Sequence, residues 1–455
     1  MKLLIVLVLV AALAVGGVLL ARHESESPEW TTDSPAAAAA FEEAIAARQK
    51  LYGSEALAHL EQALALDPDF VMPHLELIQL RRLGVVDRER VGELVEELKQ
   101  VDLDRLNPRE RLLVRYYLAE IDRDRERAAA LLEEYLAERP DDPYAVALKC
   151  QRLWGAEEAG EAEACYRRLI ELEPNWVEAQ NHLGYLAMGR GDFADAEEQF
   201  EIYRYIAPDQ ANPHDSLGEL LLVVGRWEEA EAEFRRALEL RPDFCASWLH
   251  LADLSLLEGD PAEAAEIVAD ARQAGGCPSA ELTMFECKVG VMRGVAESWQ
   301  AAYEAARACD ELYGQSEVFA MRAAVATGHT ELADELQAKH EKRAAEYGGH
   351  SPMLDHLVGA RRLQEGDPAA AVERFRAADA HLRYFGAGDA VFKLYNRLLL
   401  ADALAAAGRP EEAAALRAEV REVNPLLADL APPAAVASGS AAAGAGGSRE
   451  APSAP

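Results

Sequence analysis

The chain has 455 residues, with 46 Lys and Arg against 80 Asp and Glu, for a formal charge of −34 at pH 7. Half of its residues are apolar, enough for a large core and too many for a chain disordered throughout. So acidic a field repels phosphate backbones and anionic headgroups, which excludes nucleic acid as a partner and confines any membrane contact to a dedicated segment. That segment opens the chain. Leu3 to Leu20 is an uncharged apolar run of 18 residues, long for a signal-peptide core and just long enough to cross a bilayer. Residues 1–22 therefore read as a transmembrane anchor or, alternatively, a cleaved signal peptide. The one candidate cleavage point, after Ala21, has Leu19 where a small residue is wanted, and no Cys follows to take a lipid. Residues 23–36, rich in Ser, Thr, Pro and acidic side chains, read as a linker.

A repeat fills residues 37–276. Pro140, Pro174, Pro208 and Pro242 each follow the previous one by 34 residues. Within one unit stand Leu183, Gly184, Gly191, Ala196, Phe200 and Pro208; the next has Leu217, Gly218, Gly225, Ala230, Phe234 and Pro242 at the same offsets. Apolar residues fall in two blocks at helical spacing on either side of a glycine turn, so each unit predicts a helical hairpin closed by proline. Gly184 and Gly218 lie inside the first helix, where glycine costs ~1 kcal/mol, and predict a close approach opposite Ala196 and Ala230. Phe200 and Phe234 are then expected to fill the space between hairpins. Weaker copies carry Ala56, Leu60, Ala63 and Pro68 upstream, Ala128 and Leu132, and Ala162 and Tyr166; downstream they carry Leu251, Gly259 and Ala264. Residues 277–430 hold degenerate copies, around Gly359, Gly366 and Phe375 and around Gly408 and Ala413. Residues 431–455, made of Ala, Gly, Ser and Pro with almost nothing large and apolar, predict a disordered tail.

Size, spacing and residue type together resemble the tetratricopeptide repeat family. The resemblance implies an all-α fold: a right-handed superhelical solenoid of about eleven helical hairpins between Ala37 and Leu430, with an N-terminal hydrophobic helix. It implies that the first helix of each hairpin lines a concave groove that holds a partner polypeptide. Placed on that face are Tyr144, Gln151, Glu178, Asn181, Tyr185, Asn212, Asp215, Glu219 and Asp253. The surface is polar and acidic and suits a cationic or polar peptide segment. It lacks the groove lysines and arginines with which some members grip acidic chaperone tails. A solvated acidic face accounts for the same residues. Asn212 followed by Pro213 also reads as a helix start, with Asn212 as N-cap. Asp215 and Glu219 crowd like charge on one turn and are the leading contact candidates.

Motifs for chemistry are lacking. Cys150, Cys165, Cys245, Cys277, Cys287 and Cys309 form no C-x-x-C pair. Cys150 takes the place of Gly184 and Gly218 in the repeat and reads as a small buried side chain. In an exported domain, Cys150–Cys165 and Cys277–Cys287 are the candidate bridges. His329, His340, His350 and His356 show no metal-ligand spacing, and Gly386 to Asp389 only begins like a nucleotide loop. No metal, cofactor or catalytic residue is expected. The function these features imply is a non-catalytic scaffold binding a protein partner. It would sit in the inner (cytoplasmic) membrane as a single-pass protein with the repeats on the periplasmic side, or be secreted to the periplasm after cleavage. The alternatives are a homo-oligomeric envelope scaffold, docking through Leu398, Leu399, Leu400, Leu426 and Leu427, and an enzyme without a recognisable motif.

Overall fold

A computed structural model describes residues 29–83, 85–154, 159–346 and 351–429. The expected membrane segment at 1–22 and the tail at 431–455 lie outside the described residues. No helix among the described residues is long and apolar enough to cross a membrane. These residues form twenty-three α-helices and two short 3-10 turns, with no strand. They divide into two compact units between Lys149 and Cys150.

The first unit contains α1 (Pro35–Gln49), α2 (Gly53–Leu66), α3 (Val71–Gln79), α4 (Arg88–Lys99), α5 (Pro108–Ile121) and α6 (Arg125–Glu138). The segment expected to be linker is partly built in. Trp30 is buried, edge-to-face with Phe41 at 4.9 Å and Tyr144 at 5.4 Å. The Thr31 amide donates to Glu110 Oε1 at 2.6 Å, and the Thr31 hydroxyl donates to the other oxygen of that carboxylate. Glu110 in turn closes a capping box with Asn107 at the start of α5. Ser34 caps α1 by accepting from the Ala37 amide.

Helix α7 (Pro143–Leu153) spans the division. The second unit then runs α8 (Ala159–Leu172), α9 (Glu178–Arg190), α10 (Phe193–Ile206), α11 (Ala211–Val223), α12 (Trp227–Leu240), α13 (Cys245–Glu258) and α14 (Pro261–Ala274). It continues with α15 (Ser279–Glu297), α16 (Trp299–Arg307), α17 (Gln315–Ala326), α18 (Thr330–Glu346), α19 (Pro352–Gln364), α20 (Pro368–His381), α21 (Gly386–Ala406), α22 (Pro410–Val423) and α23 (Pro425–Asp429). Taken in sequence, α1 to α22 give the eleven hairpins the repeat predicts.

The helix-interior glycines admit an aromatic ring. A Cβ on Gly184 would stand 2.5 Å from the Phe200 ring, and one on Gly218 would stand 2.6 Å from Phe234. The rings of the second helix, and not Ala196 or Ala230, fill these notches. The phenylalanines thus pack within their own hairpins rather than only between them. Gly290 in α15 has open space at its Cβ. Gly218→Ala is expected to lower stability by ~1–3 kcal/mol through overpacking, whereas Gly290→Ala should raise it by up to ~1 kcal/mol. Urea denaturation of the two variants checks the contrast; equal shifts would remove the notch explanation.

Three disulfides staple the second unit: Cys150–Cys165, Cys245–Cys277 and Cys287–Cys309, with Cα separations of 5.4, 4.9 and 5.6 Å. Cys150 is thus a bridge half and not merely a small buried side chain. The Cys277–Cys287 pairing expected from sequence is not formed. Cys287 lies eight residues into α15, about 12 Å of rise from its start, while Cys277 stands before the helix. Cys277 reaches back to the first residue of α13 instead, binding across the boundary placed at 276 and 277.

Helix α21 lies against the first helices of earlier hairpins, packing on α9, α11 and α19. All thirteen residues of α11 are consequently buried, with α12 on one side and α21 on the other. The leucine patch proposed for self-association is therefore mostly core. Leu399, Leu400 and Leu427 are buried, Leu398 is half-buried, and Leu426 alone is exposed.

Candidate functional site: a cavity roofed by the C-terminal helices

Where α21 meets the inner helices, charge is buried with its partners. Asp215 is 3% exposed and Glu219 is 8% exposed, both on α11. His250 on α13 stands between them, its Nδ1 3.1 Å from Asp215 Oδ1 and its Nε2 3.9 Å from Glu219 Oε2. The Ser247 hydroxyl donates to Asp215 Oδ1 at 2.6 Å. Tyr185 on α9 donates to Glu219 Oε1 at 2.5 Å, and the Ala387 amide donates to Glu219 Oε2 at 2.6 Å. Glu219 thus holds the first turn of α21 to the repeat face. Further along, Asn424 donates to the Leu222 and Val223 carbonyls at 3.1 and 3.0 Å, fixing the start of α23 to the same helix.

Burial alone would depress the His250 imidazole, but the Asp215 and Glu219 carboxylates outweigh it and push its pKa up to about 10. Burial raises the Glu219 carboxyl, against the opposing pull of His250. The Tyr185 hydroxyl is pushed well up by burial and by the two carboxylates. Ligand atoms of Asp215, Glu219 and His250 lie within 4.8 Å of one another, a separation a metal ion could bridge. A metal would have to displace the imidazolium proton, which both carboxylates hold in place. The chemistry present is that of an ion network fastening three elements.

Beside this network the inner helices and α21 enclose a cavity of about 1580 Å³. Its walls include Trp154, Leu222, Leu256, Leu257, Met292, Tyr313, Phe392 and Tyr395. Phe385, in the loop before α21, stands edge-to-face on Trp154 at 4.8 Å. Polar groups are few and uneven. Lys288 is paired with Asp253, and Arg190 is taken by Glu163 and Asp195. Burial lifts the carboxyl of Asp389, on the first turn of α21. Glu258 at the wall is lifted by burial and by Glu231, Glu263, Asp260 and Glu228. Of the charged walls without an ion-pair partner among the described residues, Asp389 and Glu258 are acidic, while Arg383 donates to the Ala380 and Leu382 carbonyls.

The residues expected to line a groove thus part company. Tyr185, Asp215, Glu219 and Asp253 gather around His250. Asn212 is buried inside α11 and donates to the Tyr203 hydroxyl at 3.0 Å. It does not cap the helix, which begins one residue earlier at Ala211. Gln151 is exposed, and Glu178 and Asn181 are half-buried at the start of α9. Tyr144 belongs to the first unit, beneath the Arg109 guanidinium, which sits 4.8 Å from its ring. Charge reversal at Asp215 or Glu219 therefore reports on folding, since neither carboxylate faces solvent.

His250, Ser247, Lys288 and the α21 wall escaped the sequence reading. The signal was the repeat length itself: Tyr185 meets Glu219 at 34 residues' separation, and Asp215–His250 and Asp253–Lys288 meet at 35. The four histidines grouped by sequence serve separate ends. His340 meets Glu317 at 3.0 Å, His356 meets Asn396 at 2.8 Å, His329 stacks on Tyr303 at 4.3 Å, and His350 lies outside the described residues.

Comparison with known proteins agrees with the middle of this architecture. The tetratricopeptide repeat family model matches residues 150–211 and 216–277. No curated protein sequence matches the chain. Among solved structures, the type IV pilus biogenesis factor PilW is 21% identical, covering 42% of this chain and 86% of its own, with a TM-score of 0.35. The Cut9–Hcn1 hetero-tetramer of APC/C is 13% identical over 85% of this chain and 66% of its own, with a TM-score of 0.46. A tetratricopeptide repeat protein from Parabacteroides merdae is 15% identical over 56% and 99%, with a TM-score of 0.37. Residues 150–211 and 216–277 are thus similar to tetratricopeptide repeats.

Proposed function

We propose that the chain is a non-catalytic scaffold that binds a segment of a partner polypeptide in the cavity between its inner helices and α21. The cavity itself carries this reading. About 1580 Å³ exceeds the ~300–1000 Å³ usual for small-molecule sites and suits several residues of a peptide. Aromatic and aliphatic walls, with the carboxyls of Asp389 and Glu258 among them, fit apolar anchor side chains flanked by a basic residue. A scaffold role is supported by the ionisable cluster, whose groups are committed to one another. We place this unit outside the cytoplasm, anchored through residues 1–22 or released by their cleavage. That all six cysteines pair supports an oxidising compartment.

Gly388 faces the cavity from the exposed side of α21, and nothing lies within 4 Å of where its Cβ would be. Gly388→Trp places an indole at this wall from a Cβ that meets no neighbour. Peptides selected on the wild-type protein from a random library are expected to carry apolar residues with Lys or Arg and to bind Gly388→Trp at least tenfold more weakly. Binders indifferent to this substitution would place the contact elsewhere.

A further inference from the structure

Beyond the cavity, the second unit buries a cation that no carboxylate of the described residues reaches within ion-pair distance. Arg322, on α17, is 7% exposed, and its guanidinium makes no ion pair or hydrogen bond among the described residues. Its Nε–H is buried and unpartnered. The guanidinium carbon sits 5.1 Å from the centre of the Trp299 ring on α16, and the indole N–H of Trp299 is a second buried donor without an acceptor. Two orphaned donors on adjacent side chains leave one acceptor to be found.

The surrounding groups do not supply it. Asp402 on α21 favours the Arg322 charge from beyond ion-pair distance, and its carboxylate is engaged by Arg417. Tyr395, also on α21, is buried and un-ionised, its hydroxyl lifted by burial. His356 on α19 is neutral, its pKa pushed down to about 4 by burial despite its bond to Asn396, and Arg322 disfavours its protonation further. Burial lowers the Arg322 pKa as well, yet a guanidinium stays charged in proteins. An ion left so is strongly destabilising, whereas an oxyanion against the planar fork of arginine forms charge-assisted hydrogen bonds.

We infer that the Arg322 guanidinium and the Trp299 indole N–H form a binding site for a small oxyanion of carboxylate or phosphate type, at the junction of α16, α17 and α21. The bound anion accepts from Arg322 Nε and from Trp299 Nε1. It brings a negative charge into direct contact with a buried arginine that Asp402 serves only from a distance. It also ties α16 to α17, helices of successive hairpins, beside Tyr395 of the roof helix. The site is separate from any peptide contact, and its test uses no peptide.

Thermal unfolding and isothermal titration of the full chain with sodium acetate and with inorganic phosphate, each against sodium chloride at equal ionic strength, test the site. The wild-type Tm is expected to rise with oxyanion concentration as mass action requires. The arm with the lower dissociation constant distinguishes a carboxylate from a phosphate. Trp299→Phe keeps the ring and removes one donor, and should weaken the apparent affinity three- to tenfold. Arg322→Met removes the charge and should abolish the response. Trp299→Phe keeps the test decisive if Arg322→Met fails to fold. Two results overturn the site. Acetate and phosphate no more stabilising than chloride would mean that water satisfies both donors. A rise of equal size in wild type and Trp299→Phe would be general salt stabilisation.

Discussion

Replacing His250 with leucine is expected to destabilise the second unit by ~3–5 kcal/mol, because it strands Asp215 and Glu219 as buried carboxylates without a counter-ion. The loss should be local first. Glu219 holds the Ala387 amide, so hydrogen exchange is expected to speed most at the start of α21. Combining His250→Leu with Asp215→Asn and Glu219→Gln should recover a large part of the loss, since no charge is then left buried alone. A His250→Leu cost below ~1 kcal/mol in urea denaturation would show that the network fastens nothing.

The same network gives a signed pH dependence. The folded imidazole has a pKa of about 10 against about 6.5 in an unfolded chain, so its contribution is fully present below pH 6.5 and fades as pH rises to 10. Glu219, also raised, acts in the same direction from lower pH. Wild type should lose ~3 kcal/mol more than His250→Leu between pH 6.5 and 10, a difference in which the titration of groups remote from the network cancels. Parallel stability curves for the two proteins would contradict the assignment of an imidazolium held between the two carboxylates.

Reduction of the disulfides is the second large effect. The bridges close loops of 15, 32 and 22 residues, and chain entropy assigns each about 3–4 kcal/mol. In a repeat array such losses stay near their source, because each hairpin contacts mainly its neighbours. Cys245→Ala with Cys277→Ala is thus expected to melt α13 and α14 some 10 °C or more below the rest, taking His250 and the roof contact with them. Dithiothreitol should reproduce this in wild type and leave the first unit, which has no cysteine, unchanged. A single transition at the wild-type temperature after reduction would mean that the bridges are incidental.

Much of the fold was legible because the repeat writes itself in residue types. Pro140, Pro174, Pro208 and Pro242 mark the period, Gly184 and Gly218 mark notches, and the count of eleven hairpins followed. The site was less legible, since periodicity describes a hairpin and its neighbour and not the return of a distant helix. Helix α11 carried a warning in its run Leu220 to Val223: a helix apolar on more than one face is covered on more than one face. Helix α17 carried the same warning, with every residue from Ser316 to Ala324 buried. Reading Asp215 and Glu219 as an exposed pair failed because their partners lie one repeat away, at His250, and 168 residues away, at Ala387. The disulfide partner of Cys277 was hidden for a related reason: spacing along one helix was visible, and the return across a hairpin was not.

Site-specific photocross-linking tests most directly whether the space beneath α21 receives a partner segment. A photoreactive phenylalanine analogue is placed at Gly388, inside the cavity, and in a control at Tyr205, an exposed position on the outer helix α10. Irradiation in the native host, followed by mass spectrometry of the adducts, is expected to join position 388 to one polypeptide. The joined peptide should be apolar with a neighbouring Lys or Arg, and position 205 should not capture it. No adduct at position 388, or the same adducts from both positions, would contradict the account.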